Sequence, residues 1–307
     1  MIVNCCGFNN YPINNVYKKG DYKDMKFNKD ELVKSPLNYT GGKFKLLPQI
    51  LPLFPNDIRM FVDMFCGGCN VGLNVKADKI ICNDYMQQII DMYSNMRNNT
   101  RTDTFEHINK RIKQFNLSMQ NKEGYLKLRE LYNKERNPLD LFVLTCYSFN
   151  YSIRFNSKGD FNIAFGQDRS YFNKSIEDRL NSFITKSKNI TFTNFSFEDL
   201  KIEKLSGEDF VYADPPYLIT VANYNENGGW NEEMELKLLE KLDNCDKNGI
   251  KFGLSNVLEH KGKSNDILKD WSKNYNINYL DYDYSNCNYQ TKDKTKKSSV
   301  EVLITNY

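Results

Sequence analysis

The chain has 307 residues, of which 40% are hydrophobic and 26% are charged, and its formal net charge is +3. Those values are typical of a globular protein with one large domain or two small ones. The sequence contains no run near the ~20 apolar residues of a membrane-spanning helix and starts without a secretory signal pattern, so we expect a cytoplasmic protein, or one found wherever its substrate lies, that is not secreted.

The first predicted element is an arm without periodic structure. Residues 1–34 are rich in Asn, Lys, Tyr and Gly, which predicts an extended and partly disordered segment. Apolar runs at 60–65 and 79–84 then predict two buried strands, and the first ends in a Gly-Gly turn. A helix is expected from about residue 87 to residue 96 after the second strand.

The middle of the chain has a different pattern. Residues 104–149 have helical periodicity throughout. Two alternating segments, 152–156 and 161–166, surround a turn at 157–160 and predict a β-hairpin. Basic residues are frequent over 101–136, which is compatible with binding to the phosphate backbone of a nucleic acid. Solvated helix faces explain them equally well.

Strands and helices alternate again in the last third. Apolar runs predict strands at 190–193, 210–214, 250–255 and 300–305, with helices near 231–247 and 263–273. A second basic cluster lies at 292–297.

This order predicts an α/β fold, a Rossmann-like sheet interrupted by a helical insert that carries a hairpin. We expect a catalytic domain built from residues 35–100 and 188–307. Residues 101–187 would form a recognition domain between its two halves, since such an insert is where a partner-reading module would sit.

The most informative motif is Asp214-Pro215-Pro216-Tyr217, directly after the apolar run 210–213. Residues at the carboxyl end of a parallel strand face the ligand crevice of an open α/β sheet. Two prolines lack amide donors and hold the backbone extended, so their carbonyls are rigidly aimed. Asp214 and the Pro215 carbonyl would each accept one hydrogen of an amine, and Tyr217 would stack on the ring that bears it.

Such a cradle would turn an aromatic amine into a better nucleophile. The lone pair of this nitrogen is delocalised into its ring, and two acceptors localise it and stabilise the positive charge that develops during attack on a methyl group. A sulfonium methyl donor is already activated, so most of the remaining catalysis comes from alignment of the nitrogen, the methyl group and the sulfur. An ordinary turn at the end of a strand is the alternative explanation of the tetrapeptide.

Glycines after the first strand complete the predicted site. The run 61–65 is followed by Cys66-Gly67-Gly68, which lets the backbone approach a nucleoside cofactor closely. Asp84 ends the second strand, where an acid binds ribose hydroxyls. Tyr39 would pack on the cofactor, and Lys43, before a helix, would meet its carboxylate. The candidate cofactor contacts are Tyr39, Lys43, Asp63, Phe65, Gly67, Asp84 and Asp214.

In this order the motifs resemble the amino-methyltransferases of DNA that carry D-P-P-Y. Within that family the chain is most similar to the Dam-type adenine methyltransferases, above all to those of T-even bacteriophages. The matching stretches are Tyr39–Lys43, Phe61–Gly68, Asn83-Asp84, Arg154–Gly166, Asp209–Tyr224 and Gly249–His260.

The resemblance implies a site-specific enzyme, a monomer without an obligate protein partner, that transfers a methyl group from S-adenosylmethionine to the 6-amino group of adenine in double-stranded DNA. It also implies that Tyr39, Lys43, Asp84 and Asp214 contact the cofactor. The hairpin would enter the major groove.

The hairpin sets the expected DNA target. Arg154 and Arg169 are available for bidentate contacts to guanine. Many Dam-type enzymes that recognise GATC have a proline at the position of Ala164 and basic residues where Gln167 and Asp168 stand, so GATC is the first candidate and an altered site is the alternative. The candidate DNA contacts are Arg154, Asn156, Ala164 and Arg169.

Access to the target adds further candidates. The 6-amino group lies inside the duplex stack, so the adenine must rotate out into the pocket. Asn223, Tyr224 and Trp230 follow D-P-P-Y and would close over the base, with simple loop packing as the alternative.

Other functions stay open at this point. Methylation of the 4-amino group of cytosine uses the same cradle, although an aspartate at position 214 leans to adenine; methylation of RNA or of a protein amide is a further alternative. A DNA-binding homologue without turnover belongs to another class, and the competent residues at every catalytic position argue against it. No metal site is expected, since Cys66-x-x-Cys69 lacks a second such pair and the chain has two histidines.

Overall fold

The computed structural model describes residues 31–220, 229–281 and 299–307. Within these ranges the strands are β1 (Met60–Asp63), β2 (Lys79–Asn83), β3 (Ile190–Thr193), β4 (Asp209–Ala213), β5 (Lys251–His260), β6 (Lys263–Ser264), β7 (Asn276–Leu280) and β8 (Ser299–Thr305). The helices are α1 (Leu47–Ile50), α2 (Gln87–Asn98), α3 (Arg101–Gln114), α4 (Lys122–Glu135), α5 (Pro138–Tyr147), α6 (Lys174–Ser187), α7 (Glu232–Lys247) and α8 (Asp266–Ser272).

A single sheet contains these strands, in the order β3-β2-β1-β4-β5-β8-β7, with β6 paired to β5. The first five strands of that order are parallel, and β8 runs antiparallel to both of its neighbours. Every residue of β4 is buried, as expected for a central parallel strand covered on both faces. The predicted α/β fold is confirmed.

Alternate residues of the central strands face two different apolar layers. Phe61 and Phe210 pack on one face with residues of α1, while Val62 and Val211 pack on the other face with residues of α7. Adjacent side chains of a strand point to opposite faces, so both layers hold the sheet in one register. This packing therefore fixes the positions of the strand ends.

The helical stretch predicted over 104–149 is divided into α3, α4 and α5. After the break between α3 and α4, Asn121 caps α4 by accepting a hydrogen bond from the Gly124 amide. Arg136, in the left-handed conformation, ends α4. Asn137 then caps α5, which has a proline in its first turn. In the chain these three helices lie after α2 and before β3, between two neighbouring strands of the sheet.

Two predicted features differ from the structure. The hairpin of 152–166 has isolated bridges, Ser148 to Phe165 and Phe155 to Phe161, instead of two regular strands. The left-handed residues Asn150 and Tyr151 lie between Ser148 and the first limb, so the ladder between the two bridges is interrupted there. Strands β6 and β7 were not predicted; β7 buries Asn278 and exposes Tyr279, so its burial does not follow the polarity of its residues.

Some predictions lie outside the described residues, among them nearly all of the arm and the basic cluster at 292–297. Among the described residues, no helix has both the length and the apolar character needed to cross a membrane. In the same part of the chain, no group of three or more His, Cys, Asp or Glu residues is arranged to hold a metal ion.

Asp140 links α5 to α3 inside the helical segment. Its fully buried Oδ1 lies 2.8 Å from Arg111 Nε and 2.6 Å from His107 Nε2. Burial opposes the charge, but these two partners outweigh it and lower the pKa of Asp140. The ionised carboxylate therefore stabilises the fold.

We predict that Asp140→Asn lowers the free energy of unfolding by about 1.5–3 kcal/mol at pH 7, the range for hydrogen bonds to charged groups. Because the pKa of Asp140 is lowered on folding, this contribution is present above the ordinary aspartate value of about 3.9 and is lost as the pH falls through the lower folded value. Urea unfolding at several pH values measures it. Asp178→Asn, which removes an exposed ion pair with Lys174, is the control and should cost at most about 1 kcal/mol. Equal effects of both variants would contradict the prediction.

Candidate active site

The carboxyl ends of β1, β2 and β4 bring the predicted motifs together. β1 lies between β2 and β4, and the amide of Met64, just after β1, donates to the carbonyl of Tyr212 at 2.9 Å. On the other side the Cys66 amide donates to the Asn83 carbonyl at 2.7 Å. The glycine turn after β1 therefore lies between the acid after β2 and the D-P-P-Y motif after β4.

Tyr39 packs directly on the glycine turn. A Cβ atom on Gly67 would lie 2.8 Å from Tyr39 Cε1, and one on Gly68 would lie 2.9 Å from Tyr39 Cβ. Gly67 also has a φ of +43°, which disfavours other residues. The close approach of Tyr39 thus explains both glycines, a reason that the sequence alone did not provide.

Asp84 holds the same turn from the other side. Its Oδ2 accepts a hydrogen bond from the Gly67 amide, and its Oδ1 accepts one from the Met86 amide, both at 2.9 Å. Burial of the carboxylate raises the pKa of Asp84, and these two amides counteract the rise. The predicted ribose acceptor is therefore also a structural support of the turn.

Asp63 lies beneath the turn and is only 1% exposed. Its Oδ1 accepts a hydrogen bond from the Phe65 amide at 3.3 Å. Burial, together with the nearby Cys69 and Asp214, raises the pKa of Asp63 well above the ordinary value. Its role as a cofactor contact stays a prediction.

Lys43 forms an ion pair with the aspartate of D-P-P-Y. Its Nζ lies 2.7 Å from Asp214 Oδ1, donates to the Gly41 carbonyl at 3.1 Å and lies 4.9 Å from the centre of the Tyr217 ring. The two side chains are 6% and 17% exposed, so little water screens their attraction. The sequence suggested Lys43 as a partner of a cofactor carboxylate, and the structure places it beside the catalytic motif.

Opposing effects act on Asp214. Burial raises its pKa, whereas Lys43 and the Tyr217 hydroxyl, which donates to Oδ1 at 3.3 Å, lower it. Burial is the larger effect, so the pKa of Asp214 is raised overall. Both contacts fall on Oδ1.

Phe65 belongs to an aromatic cluster at this edge of the sheet. Its ring lies 5.6 Å from Phe197 and 5.6 Å, edge to face, from Trp230. Trp230 is 8% exposed and donates through Nε1 to the buried Glu235 at 2.5 Å. Trp230 is thus a packing residue here, which favours loop packing over closing on a base. Asn223 and Tyr224 lie outside the described residues.

The hairpin presents most of its predicted contacts outward. Arg154, Ala164 and Arg169 are exposed, and Arg154 Nε donates to Asn162 Oδ1 at 3.0 Å. Asn156 instead organises the turn, because its Oδ1 accepts from the amides of Lys158 and Asp160, each at 2.9 Å.

The sequence analysis missed a cluster at the start of the hairpin. Phe149 is 44% exposed, and the Arg169 guanidinium lies 4.7 Å from its ring centre. Asn150 follows with a φ of +55°, and its carbonyl accepts a hydrogen bond from Asn38 Nδ2 at 3.0 Å. Asn38 precedes Tyr39, so this bond links the active-site turn to the hairpin. An asparagine in the left-handed region leaves no sequence pattern strong enough to predict it.

Comparisons with known proteins find DNA methyltransferases. Residues 39–286 match the family described as D12 class N6 adenine-specific DNA methyltransferase. The chain is 45% identical over 306 residues to the modification methylase StsI of Streptococcus sanguinis, an alignment that covers 97% of this chain and 45% of that protein. It is 47% identical over 281 residues to the type II methyltransferase M.FokI of Planomicrobium okeanokoites, with coverage of 90% and 43%.

A DNA adenine methylase of Vibrio cholerae is 28% identical over 200 residues, covering 63% of this chain and 69% of that protein. The chain spans less than half the length of the first two relatives.

We predict that Lys43→Met raises the pKa of Asp214 further, because burial then acts without the cation that opposes it. Carboxyl-carbon NMR titration of the folded variant measures this pKa. Lys45→Met, which removes an exposed lysine two residues away, is the matched control and should leave the pKa of Asp214 near its wild-type value. A titration of Asp214 that is the same in all three proteins would contradict the proposed pairing.

Proposed function

The chain belongs to the D12 class N6 adenine-specific DNA methyltransferase family, and from this premise we propose that it transfers a methyl group from S-adenosylmethionine to the 6-amino group of an adenine in double-stranded DNA, as a monomer. The observation that carries the proposal is the position of Asp214. Its carboxylate lies at a strand end next to the glycine turn, paired with Lys43 at 2.7 Å.

The residues around the turn fit the cofactor. Gly67 and Gly68 keep the turn bare, and Tyr39 packs against it, which leaves backbone and ring surfaces for a nucleoside. Asp84 has a carboxylate at the neighbouring strand end, suited to ribose hydroxyls. Phe65 adds an aromatic surface held by its cluster. When bound, the cofactor supplies an activated methyl group.

The D-P-P-Y residues act on the amine. Asp214 Oδ2 accepts one amine hydrogen and the Pro215 carbonyl accepts the other, so the lone pair is localised on the nitrogen and can attack out of the plane of the ring. As the nitrogen gains positive charge, the carboxylate stabilises it. Lys43 opposes the effect of burial on the pKa of Asp214. Tyr217 holds Oδ1 by its hydroxyl and offers its ring for stacking.

Residues 101–187 serve as the target recognition domain of this proposal, between catalytic segments at 35–100 and 188–307. The exposed Arg154, Ala164 and Arg169 of the hairpin read bases in the major groove, and the target adenine rotates out of the stack. GATC is the first candidate sequence. Because Ala164, Gln167 and Asp168 depart from the usual pattern of GATC enzymes, an altered sequence is the alternative.

We predict that Asp214→Ala lowers methyl transfer to DNA by at least about 100-fold, because the cradle loses its charged acceptor. Transfer is measured with radiolabelled cofactor and plasmid DNA from a host without methylation. Circular dichroism should show an unchanged fold. Asp199→Ala, at an exposed position after β3, is the control. Full transfer by the Asp214 variant would remove this residue from the mechanism.

We also predict that Arg154→Ala costs about 1–3 kcal/mol of discrimination at one base of the target, the range for a lost bidentate contact. Modified-base sequencing of plasmid DNA methylated by each protein gives the preference at every position. Lys247→Ala, at the exposed end of α7, is the control. A preference unchanged at every base would show that Arg154 does not read the target.

A further inference from the structure

One face of α4 follows the second limb of the hairpin. Tyr125, Arg129, Asn133 and Arg136, three of them on α4 and one at its cap, are spaced by four, four and three residues, so they form one stripe. All four side chains donate hydrogen bonds to the backbone of residues 159–163. The helix and the limb run in opposite directions along this contact.

The second limb uses its two backbone edges differently. Toward the first limb, the Asp160 carbonyl accepts from the Asn156 amide at 2.9 Å, and the Asn162 amide donates to the Arg154 carbonyl at 3.2 Å. The other edge carries the carbonyls of residues 159, 161 and 163, because successive carbonyls of a strand alternate in direction. A third strand would lie along this second edge, and α4 lies there instead.

Asn133 makes the bonds that a neighbouring strand would make. Its Nδ2 donates to the Phe161 carbonyl at 3.1 Å, and its Oδ1 accepts from the Phe161 amide at 2.8 Å. One carboxamide thus satisfies both backbone groups of a residue, as a paired strand residue does. Nearer the start of α4, by about one and two turns, Arg129 Nη1 and the Tyr125 hydroxyl both donate to the Ile163 carbonyl, at 3.1 and 3.0 Å.

Arg136 holds the tip of the hairpin. Its Nη1 donates to the Gly159 carbonyl at 2.6 Å, and its Nη2 lies 2.5 Å from Asp160 Oδ1. The left-handed φ of +57° at Arg136 ends the helix at this point. The contact therefore extends from the base of the second limb to its turn.

We propose that α4 takes the place of a third strand beside the hairpin. Asn133, Arg129 and Arg136 are then positioning residues for DNA target recognition. This inference rests on the proposed function. Phe161, Ile163 and Phe165 point inward and are buried, while Asn162 and Ala164 between them face outward. The contact with α4 fixes the second edge of this limb. It therefore also fixes the outward face of the hairpin, on which Arg154 lies.

The hairpin needs such support because it has little of its own. A two-stranded hairpin alone is at best marginally stable in water, and this one has only isolated bridges in the described chain. Bidentate reading of a base demands a side chain held to about 0.5 Å. Without α4, Arg154 would keep its charge for phosphates but lose the fixed direction needed to choose among bases.

The test compares Asn133→Leu, which keeps the volume and removes both bonds, with wild type. Hydrogen exchange followed by mass spectrometry should show about tenfold faster exchange of the peptide that contains Phe161, as expected for the loss of a bond to a buried amide. Modified-base sequencing of unmethylated plasmid DNA should show about tenfold more methylated adenines outside the wild-type consensus. The Kd for S-adenosylhomocysteine, measured by calorimetry, should stay at its wild-type value.

Lys134→Ala, on the exposed side of the same helix, is the matched control and should change none of the three readouts. If Asn133→Leu does not fold, Arg129→Met tests the same claim. It removes one contact between α4 and the limb, and the Ile163 carbonyl is still satisfied by Tyr125. Unchanged exchange, or faster exchange with an unchanged consensus, overturns the positioning role. Absence of adenine methylation by the wild-type protein overturns the proposed function instead, and the exchange experiment still decides whether α4 supports the hairpin.

Discussion

The ion pair between Lys43 and Asp214 is the contact on which the site depends. Taking two charges out of water is costly, and the cost is offset only when each charge has good partners. Lys43 has the Asp214 carboxylate, the Gly41 carbonyl and the face of Tyr217. The pair ties the segment before α1 to the end of β4, although 171 positions separate the two residues in the sequence.

That tie sets the positions of the other functional groups. The turn that leads to Lys43 places Tyr39 on the glycines after β1, and Asp84 holds those glycines from β2. Asn38, one residue before Tyr39, donates to the carbonyl of Asn150, just before the first limb of the hairpin. The second limb of that hairpin is held by α4. Asp214, the glycine turn and the hairpin are thus connected through one short stretch of chain that includes Asn38, Tyr39 and Lys43.

Much of this arrangement could be predicted from sequence because it depends on local patterns. The order of apolar runs predicted the α/β sheet, and strand ends followed by Gly-Gly, Asn-Asp and D-P-P-Y predicted which residues would meet. The pairing of Lys43 with Asp214 could not be predicted, because an exposed cofactor carboxylate and a buried aspartate are equally suitable partners for a lysine. The contact between Asn133 and Phe161 is likewise invisible in the sequence, since a helix that replaces a strand has no pattern of its own. The interruption before the first limb comes from Asn150 and Tyr151, which adopt the left-handed conformation. Neither residue type requires that conformation, so the sequence did not predict it.

The most direct test is a crystal structure of the chain with S-adenosylhomocysteine and a duplex that contains the target adenine. The account predicts that the adenine lies outside the stack, with its 6-amino nitrogen about 3 Å from both Asp214 Oδ2 and the Pro215 carbonyl. The sulfur should face that nitrogen, and the nucleoside should lie against Gly67. An adenine held away from Asp214, or a cofactor bound away from the glycine turn, would contradict the account.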